Sequence, residues 1–419
     1  LESLIQRFEY LNYAPFIKNI MKRFKLSTLL LLTVTMFWAC GQNANKEGNG
    51  TISTADGFVP NPQEMSEQPV GKLAIGDKAP YFRLPNVDGK FVSIDDFAEA
   101  DVLVINFTCN HCPTAQAYEE RFNDLVDDYK SKGVAFVAIS PNSPIGILPE
   151  ELGYTDLNDD YRSMQIRYVD MNYNFPYLYD GDKHEYSLAY GPTATPHVFV
   201  FDKDRKLTYS GRLDASEKPG TANAEDLRNA IDKTLAGEAL DADKAITPAF
   251  GCSTKWAWKN EFAIKTNEEW KKKPVDVIKI STSELAEVLK NNSEELLLVN
   301  FWATWCGPCV VEYPEFIEIH RMYSGRDFRF VSVSMDNPEQ EDKVLKFLRT
   351  KHSAVTNYLL DTDDKYAIID VVKNDWDGSL PITLLIEPGG NVAYKVPGEI
   401  NSLALRKAIV DHPMIGRYY

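Results

Sequence analysis

A chain of 419 residues is long enough for two or three domains, and with 44% hydrophobic and 12% aromatic residues it can fill their cores, so it reads as globular. Its net charge of −16 repels phosphate backbones and anionic headgroups, which excludes nucleic acid and an anionic lipid surface as main partners. Six cysteines carry the chemistry that remains: one near the start, two in each of two CxxC pairs, and Cys252 alone.

Residues 21–40, MKRFKLSTLLLLTVTMFWAC, have a basic start, an apolar middle and the small Ala39 at a cleavage edge, the pattern of an export signal. The apolar run is shorter than the ~20 residues of a spanning helix, so a permanent span is not expected. The ending FWAC resembles a lipoprotein signal. That resemblance implies removal of residues 1–39, lipidation of Cys40, and a protein on the periplasmic side of a bacterial envelope membrane. Residues 40–70, rich in Gly, Asn, Ser and Pro and without apolar period, read as a flexible tether.

The first domain is expected over residues 71–239. IGDKAPYFRLPNVDGKFVSIDDF reads as an entry hairpin and helix, DVLVINFTCNHCP as a buried strand running into Cys109 and Cys112, and residues 114–130 as the following helix. VAFVAIS, between Gly133 and Pro141, is another buried strand. The insertion after it predicts a helix at 156–167 and a tyrosine-rich stretch ending FPYLYD, whose rings are expected to pack rather than to form a peptide-binding lip. TPHVFVFD and RKLTYSGRLD form a terminal hairpin, and residues 224–236 a closing helix. Residues 240–274, with Pro248, Gly251 and a Lys/Trp-rich segment, read as a connector. The second domain, residues 275–419, alternates the strands VDVIKI, LLLVNF, FRFVSVSM, ITLLIE and NVAYKV with helices at 284–290, 310–323, 339–350, 365–372 and 402–411. The fold class is α/β, one architecture twice in tandem.

LLLVNFWATWCGPC joins a strand covered on both faces to a dithiol at the mouth of a helix. Unpaired amides and the helix dipole there favour the Cys306 thiolate, and the tight Gly307-Pro308 turn lets Cys309 attack a mixed disulfide formed on it. The two CxxC pairs lie too far apart for a zinc ribbon, and Val310 and Pro113 stand where a haem motif needs His. Dithiol–disulfide exchange is therefore expected, with no metal or other cofactor. His111 can give Cys109 a hydrogen bond or a positive charge, which makes the first dithiol the more oxidising and allows electrons to pass to it from the second. Cys252, with Lys255 nearby to favour its thiolate, is either a third thiol exchanging with Cys109 and Cys112 or a buried unpaired cysteine. Glu312, one turn into the helix, is either the proton acceptor for Cys309 or a solvated residue.

WCGPC after FWAT resembles the thioredoxin superfamily, and LLLVNFWATWCGPCVVEYP, with Glu312 and Pro314, is most similar to its membrane-anchored TlpA/ResA branch. Residues 71–239 resemble a peroxiredoxin-like, AhpC/TSA-type redoxin. The resemblance implies two tandem thioredoxin-like domains, each a central mixed sheet flanked by helices. It implies cis-prolines at Pro381 and Pro196 facing the dithiols, with the backbone before each pairing with a substrate peptide. His111 resembles the histidine between the cysteines of disulfide-forming members, and Asn300, where many thioredoxins bury an acid, agrees with the TlpA/ResA branch. Thr108 abuts Cys109 and no proline precedes it in the register of the peroxiredoxin PxxxTxxC loop. The implied function is a membrane-anchored envelope oxidoreductase for protein or peptide disulfides, served by an unidentified membrane electron donor. The alternatives are a thiol peroxidase in the first domain and a peptide-binding or holdase lipoprotein.

Overall fold

The computed structural model describes residues 58–63, 67–362, 364, 366–372 and 376–418; the export signal, Cys40 and the start of the tether lie outside the described residues. An entry hairpin, β1 (Arg83–Pro85) and β2 (Phe91–Ser93), precedes β3 (Val102–Phe107), α1 (Pro113–Tyr129) and β4 (Val134–Ser140). Then come α2 (Tyr161–Asp170), β5 (Tyr177–Tyr179), β6 (Ala194–Thr195), β7 (His197–Phe201), β8 (Leu207–Gly211) and α3 (Glu225–Leu235). The main sheet runs β5-β4-β3-β7-β8, parallel over its first three strands and antiparallel over the last two. Alternation along β3 sends Val102 and Val104 to the face covered by α1, α2 and α3, and Leu103, Ile105 and Phe107 to the face covered by Phe82 and Leu84.

The chain continues through β9 (Cys252–Ser253), α4 (Asn260–Trp270), β10 (Ile278–Ile280), α5 (Thr282–Leu289), β11 (Leu296–Trp302), α6 (Gly307–Tyr323) and β12 (Phe328–Ser334). It ends with α7 (Glu341–Thr350), β13 (Thr356–Leu360), α8 (Ala367–Val372), β14 (Ile382–Ile386), β15 (Val392–Pro397) and α9 (Ser402–Val410). The second sheet runs β10-β13-β12-β11-β14-β15, parallel over its first four strands, with β14 antiparallel to both of its neighbours, β11 and β15. Ser281 starts α5 with a capping box, its hydroxyl accepting from the Glu284 amide while the Glu284 carboxylate accepts from the Ser281 amide. Both halves are thioredoxin-like α/β layers, in which the central strand of each sheet, β3 or β11, leads to a dithiol.

The tyrosine-rich stretch packs as expected: it supplies strand β5, and Tyr173, Phe175, Tyr177 and Tyr179 are core residues. Other expectations need correction. The helix read at 156–167 begins at Tyr161, because Asp160 caps it by accepting from the Ser163 amide at 2.9 Å. Residues 156–159 are thereby free to run as a loop. The tether is not free to residue 70: Phe58 packs edge-on against Tyr161 at 5.2 Å, and the Gln63 amide donates to the Asp182 carbonyl at 3.2 Å. Nor is 240–274 a loose connector. Trp256 is buried between His184 and the stacked Trp258, and the Ala257 amide donates to His184 Nε2 at 2.8 Å.

The insertion also joins the halves. Ile147 and Leu152 belong to the apolar core of the second half. Around them Arg321 of α6 holds Glu150 through two bonds of 2.7 and 2.9 Å, the Tyr323 hydroxyl donates to the Thr155 carbonyl at 2.8 Å, and Arg417 holds Asp156 at 2.6 Å. Leu152→Ala is expected to cost about 2–5 kcal/mol, the range for emptying a buried leucine site. Because its neighbours lie in the second half, urea denaturation should show weaker protection of the β11 and β12 amides; an unchanged midpoint would contradict the packing.

Candidate active site

In the second half, the turn after β11 is clamped by a buried carboxylate: the Thr304 amide and hydroxyl donate to Asp336 at 2.8 and 2.5 Å. Helix α6 opens at Gly307 with Cys306 as its N-cap, and Cys306 Sγ accepts from the Cys309 amide at 3.4 Å. The two cysteines form a disulfide. Beside this buried pair Trp305 is 65% exposed, and Val311 in the first turn of α6 is also exposed. The Leu380–Pro381 bond is cis. Ile382 pairs with Phe301, so register places Pro381 at the dithiol end of β11. Glu312 is buried rather than solvated. Its Oε2 accepts from the Ile400 amide at 2.9 Å, and loss of water pushes its pKa up to about 7. On β11, Asn300 donates to Thr383 Oγ1 at 3.1 Å.

The first half departs from this pattern by one detail of helix geometry. Here α1 opens at Pro113, so the N-cap is Cys112, the second cysteine, and not Cys109. Both are free thiols, 2% and 0% exposed, and Cys252 lies against them half-buried. Burial alone would raise the Cys112 pKa. Hydrogen bonds from the Cys109 and Cys252 thiols, the charge on His111 and the Cys252 amide at 3.2 Å reverse this and hold Cys112 well below the usual thiol range. Burial, its bond to Cys112 and the Asp159 charge push Cys109 up. The thiolate expected on Cys109 therefore falls on Cys112, because that sulfur accepts the hydrogen bonds and faces the His111 charge.

His111 does not meet solvent. Its Nδ1 lies 2.7 Å from Asp159 Oδ2, both side chains being buried. Burial opposes a charged imidazole, but the Asp159 carboxylate outweighs it and raises the His111 pKa. Asp159 also accepts from the Asn110 and His111 amides at 2.8 and 3.0 Å and from Asn142 Nδ2 at 2.8 Å. Cys109, His111 and Asp159 place ligand-type atoms within 4.8 Å of one another, but these four donors already engage the carboxylate, so the trio is an ion pair beside a thiol rather than an open cation site. The Thr195–Pro196 bond is cis, and Thr195 Oγ1 lies 3.0 Å from Cys109 Sγ. Cys252 does not gain a thiolate from Lys255. The lysine is paired with Glu151, while the bond to Cys112 and then burial push the Cys252 pKa up.

The model of the AhpC/TSA family matches residues 75–210 and 277–395, one match in each half and together more than half of the chain. The chain belongs to the AhpC/TSA family. Its similarity to the thiol-disulfide oxidoreductase ResA of Bacillus cereus is 28% identity over 116 residues, covering 26% of this chain and 60% of that protein. The thiol:disulfide interchange protein CycY of Rhizobium leguminosarum is 29% identical over 117 residues, or 28% of this chain and 57% of the relative. A putative peroxiredoxin of Mycobacterium tuberculosis is 36% identical over 73 residues, covering 17% of this chain and 46% of that protein. The chain thus spans 60% or less of the length of these relatives. Among solved structures, an uncharacterized conserved protein from Geobacillus kaustophilus is 36% identical, with 44% of this chain and 92% of that chain covered at a TM-score of 0.39.

Within this AhpC/TSA tandem, the two carboxylates that hold the dithiol loops, Asp336 and Asp159, escape a sequence reading. Asp159 lies 48 residues beyond His111 with no spacing that ties them together. The insertion of the first half touches α6 at its C-terminal end, through Arg321 and Tyr323, whereas Cys306 caps the other end, about 22 Å away along the helix axis.

Glu312 yields a test of sign. Its folded pKa of about 7 is raised above the usual glutamate value of 4.5, so the stability tied to it is complete below the unfolded value and is lost as pH rises through the folded one. Glu312→Gln should therefore be progressively more stable than the parent as pH rises across that window, measured by denaturant midpoints at a series of pH values. A constant difference between the two proteins would mean that Glu312 titrates normally.

Proposed function

We propose that the chain is a thiol–disulfide oxidoreductase of the bacterial envelope that acts on protein disulfides. The observation that carries this reading is the Cys306–Cys309 disulfide at the mouth of α6, beside cis-Pro381 and the exposed Trp305 and Val311. In the reduced protein the Cys306 thiolate attacks a client disulfide, a Cys306–client bond forms and one client thiolate leaves. Cys309 passes its proton to Glu312 and attacks Cys306 Sγ, and the second client thiolate leaves. Two electrons have moved from the dithiol to the client, and an unidentified donor at the membrane restores them. The first half supplies a second dithiol, in which Cys112 attacks, Cys109 resolves, His111 and Asp159 support the Cys112 thiolate, Pro196 borders the site and Cys252 is a third thiol. The names of the relatives as oxidoreductase and interchange proteins support this chemistry. The export signal and the FWAC ending support anchoring through acyl chains on Cys40.

Insulin reduction by the full chain tests the reading. Cys306→Ser should abolish turnover at the second dithiol, and Cys309→Ser should accumulate mixed disulfides with clients; the reverse pattern would exchange the two roles. Anchoring has its own readout. The protein should partition with membrane detergent extracts and move to the soluble envelope fraction on Cys40→Ala, and a wild type already found in the soluble fraction would remove the anchor.

A further inference from the structure

The two dithiols differ in what covers them. Before cis-Pro381, Gly378 and Ser379 are exposed, and residues 378–380 pair with no strand among the described residues. Before cis-Pro196 the equivalent segment is β6, and it is paired antiparallel with β9, Ala194 opposite Ser253 and Thr195 opposite Cys252. That pairing sets the Cys252 amide 3.2 Å from Cys112 Sγ. The approach needs Gly251: its φ is +119°, and a Cβ there would stand 2.1 Å from the Thr195 carbonyl oxygen and 3.3 Å from Cys112 Sγ. The strand is tied down on both sides. The Thr247 hydroxyl accepts from the Arg212 amide at 3.1 Å, Thr254 Oγ1 donates to the Pro192 carbonyl at 2.8 Å, and the Lys255 amide donates to Asn142 Oδ1 at 2.8 Å. Of the three sulfurs it gathers, Cys109 and Cys112 are buried and Cys252 alone is partly open.

We propose that residues 251–253 are a built-in substrate strand. They fill the backbone edge at which a disulfide-bearing peptide would meet Cys109 and Cys112, so this dithiol communicates with the outside through Cys252 and takes small disulfides, while protein disulfides go to Cys306 and Cys309. The inference rests on dithiol exchange at the first centre. The electrons balance as follows. Cys252 passes its proton to the Cys112 thiolate it is hydrogen-bonded to and attacks a small disulfide RSSR; the Cys252–SR bond forms and RS⁻ leaves, taking that proton from Cys112. The Cys112 thiolate attacks Cys252 Sγ, a Cys112–Cys252 disulfide forms and the second RS⁻ leaves. Cys109 gives up its proton and attacks Cys112 Sγ, and Cys252 departs and regains a proton. Cys109 and Cys112 are oxidised by two electrons, and RSSR becomes two RSH with one proton from Cys109 and one from solvent.

The test uses the full chain with Cys306→Ser and Cys309→Ser, reduced beforehand and mixed with either a small aromatic disulfide or insulin in a single turnover. The small disulfide should oxidise the first centre, with insulin slower by about tenfold or more because access to the sulfur limits exchange. Cys252→Ser should slow the small disulfide by a similar factor, and Gly251→Val, which pushes the strand off Thr195, should raise the insulin rate. In Cys109→Ser, peptide mapping after oxidation should recover Cys112 joined to Cys252. A small-disulfide rate indifferent to Cys252→Ser, insulin as fast as the small disulfide on the intact strand, or no Cys112–Cys252 peptide would each overturn the substrate strand while leaving dithiol exchange in place. If neither disulfide oxidises Cys109 and Cys112, exchange at this centre falls and the strand proposal falls with it.

Discussion

A thiolate persists inside a protein only where hydrogen-bond donors and positive charge outweigh the loss of water, and in both halves that balance is struck where a buried strand hands over to a helix. Helix α6 begins directly after the first cysteine of its pair, and α1 directly after the second. In the first pair the favoured sulfur is set by the donors gathered on it: the Cys109 and Cys252 thiols, the His111 charge and the Cys252 amide all favour the Cys112 thiolate. The first half adds a charge behind it: the His111–Asp159 pair, whose carboxylate is kept ionised in a dry interior by four N–H donors.

The same economy governs the loops that carry the sulfurs. Each is pinned by one buried aspartate reached from elsewhere in the chain, Asp336 just after β12 and Asp159 from the insertion before α2. Desolvating a carboxylate is costly unless its lone pairs are matched, and here the matching partners include the backbone amides of the dithiol loops, Thr304 in one and Asn110 and His111 in the other. Rigidity at the dithiol is therefore a by-product of satisfying an otherwise expensive charge. The two copies share this device but recruit it from different segments, which separates what the fold demands from what each centre has acquired.

Much of this was legible from the residue pattern. Continuous apolar runs such as LLLVNFW and VAFVAIS announce strands covered on both faces, and strand, dithiol, helix in succession locates both centres. What escaped reading are features that depend on distant pairing. Strand β5 is only three residues, YLY, and β13, TNYLL, opens on two polar residues, so neither shows a strand-length apolar run. The helix start at Pro113 falls within one residue of its reading, but the Asp159 clamp on the amides of residues 110 and 111 comes from 48 positions on and has no local signal. Cys252 was visible as a residue left over, but its place beside Cys112 follows from a two-residue ladder between segments 57 positions apart, as in Thr195 and Cys252. Glu312 was legible as a position and not as an environment: only the surrounding burial makes it a weak acid, against the Ile400 amide, which favours the carboxylate.

The contact built by Ile147, Leu152 and the Glu150–Arg321 pair bears on how this tandem can be inherited. By chain order those residues belong to the first copy, and by packing to the second. A gene fragment beginning at the second copy would encode a domain with part of its core missing, a bared apolar patch and a guanidinium without its carboxylate. Duplication ordinarily yields modules that recombination can lift out and place beside new neighbours. Here the neighbour is part of the module's core, so lifting out the second half would carry a cost in packing even though each half keeps its own dithiol.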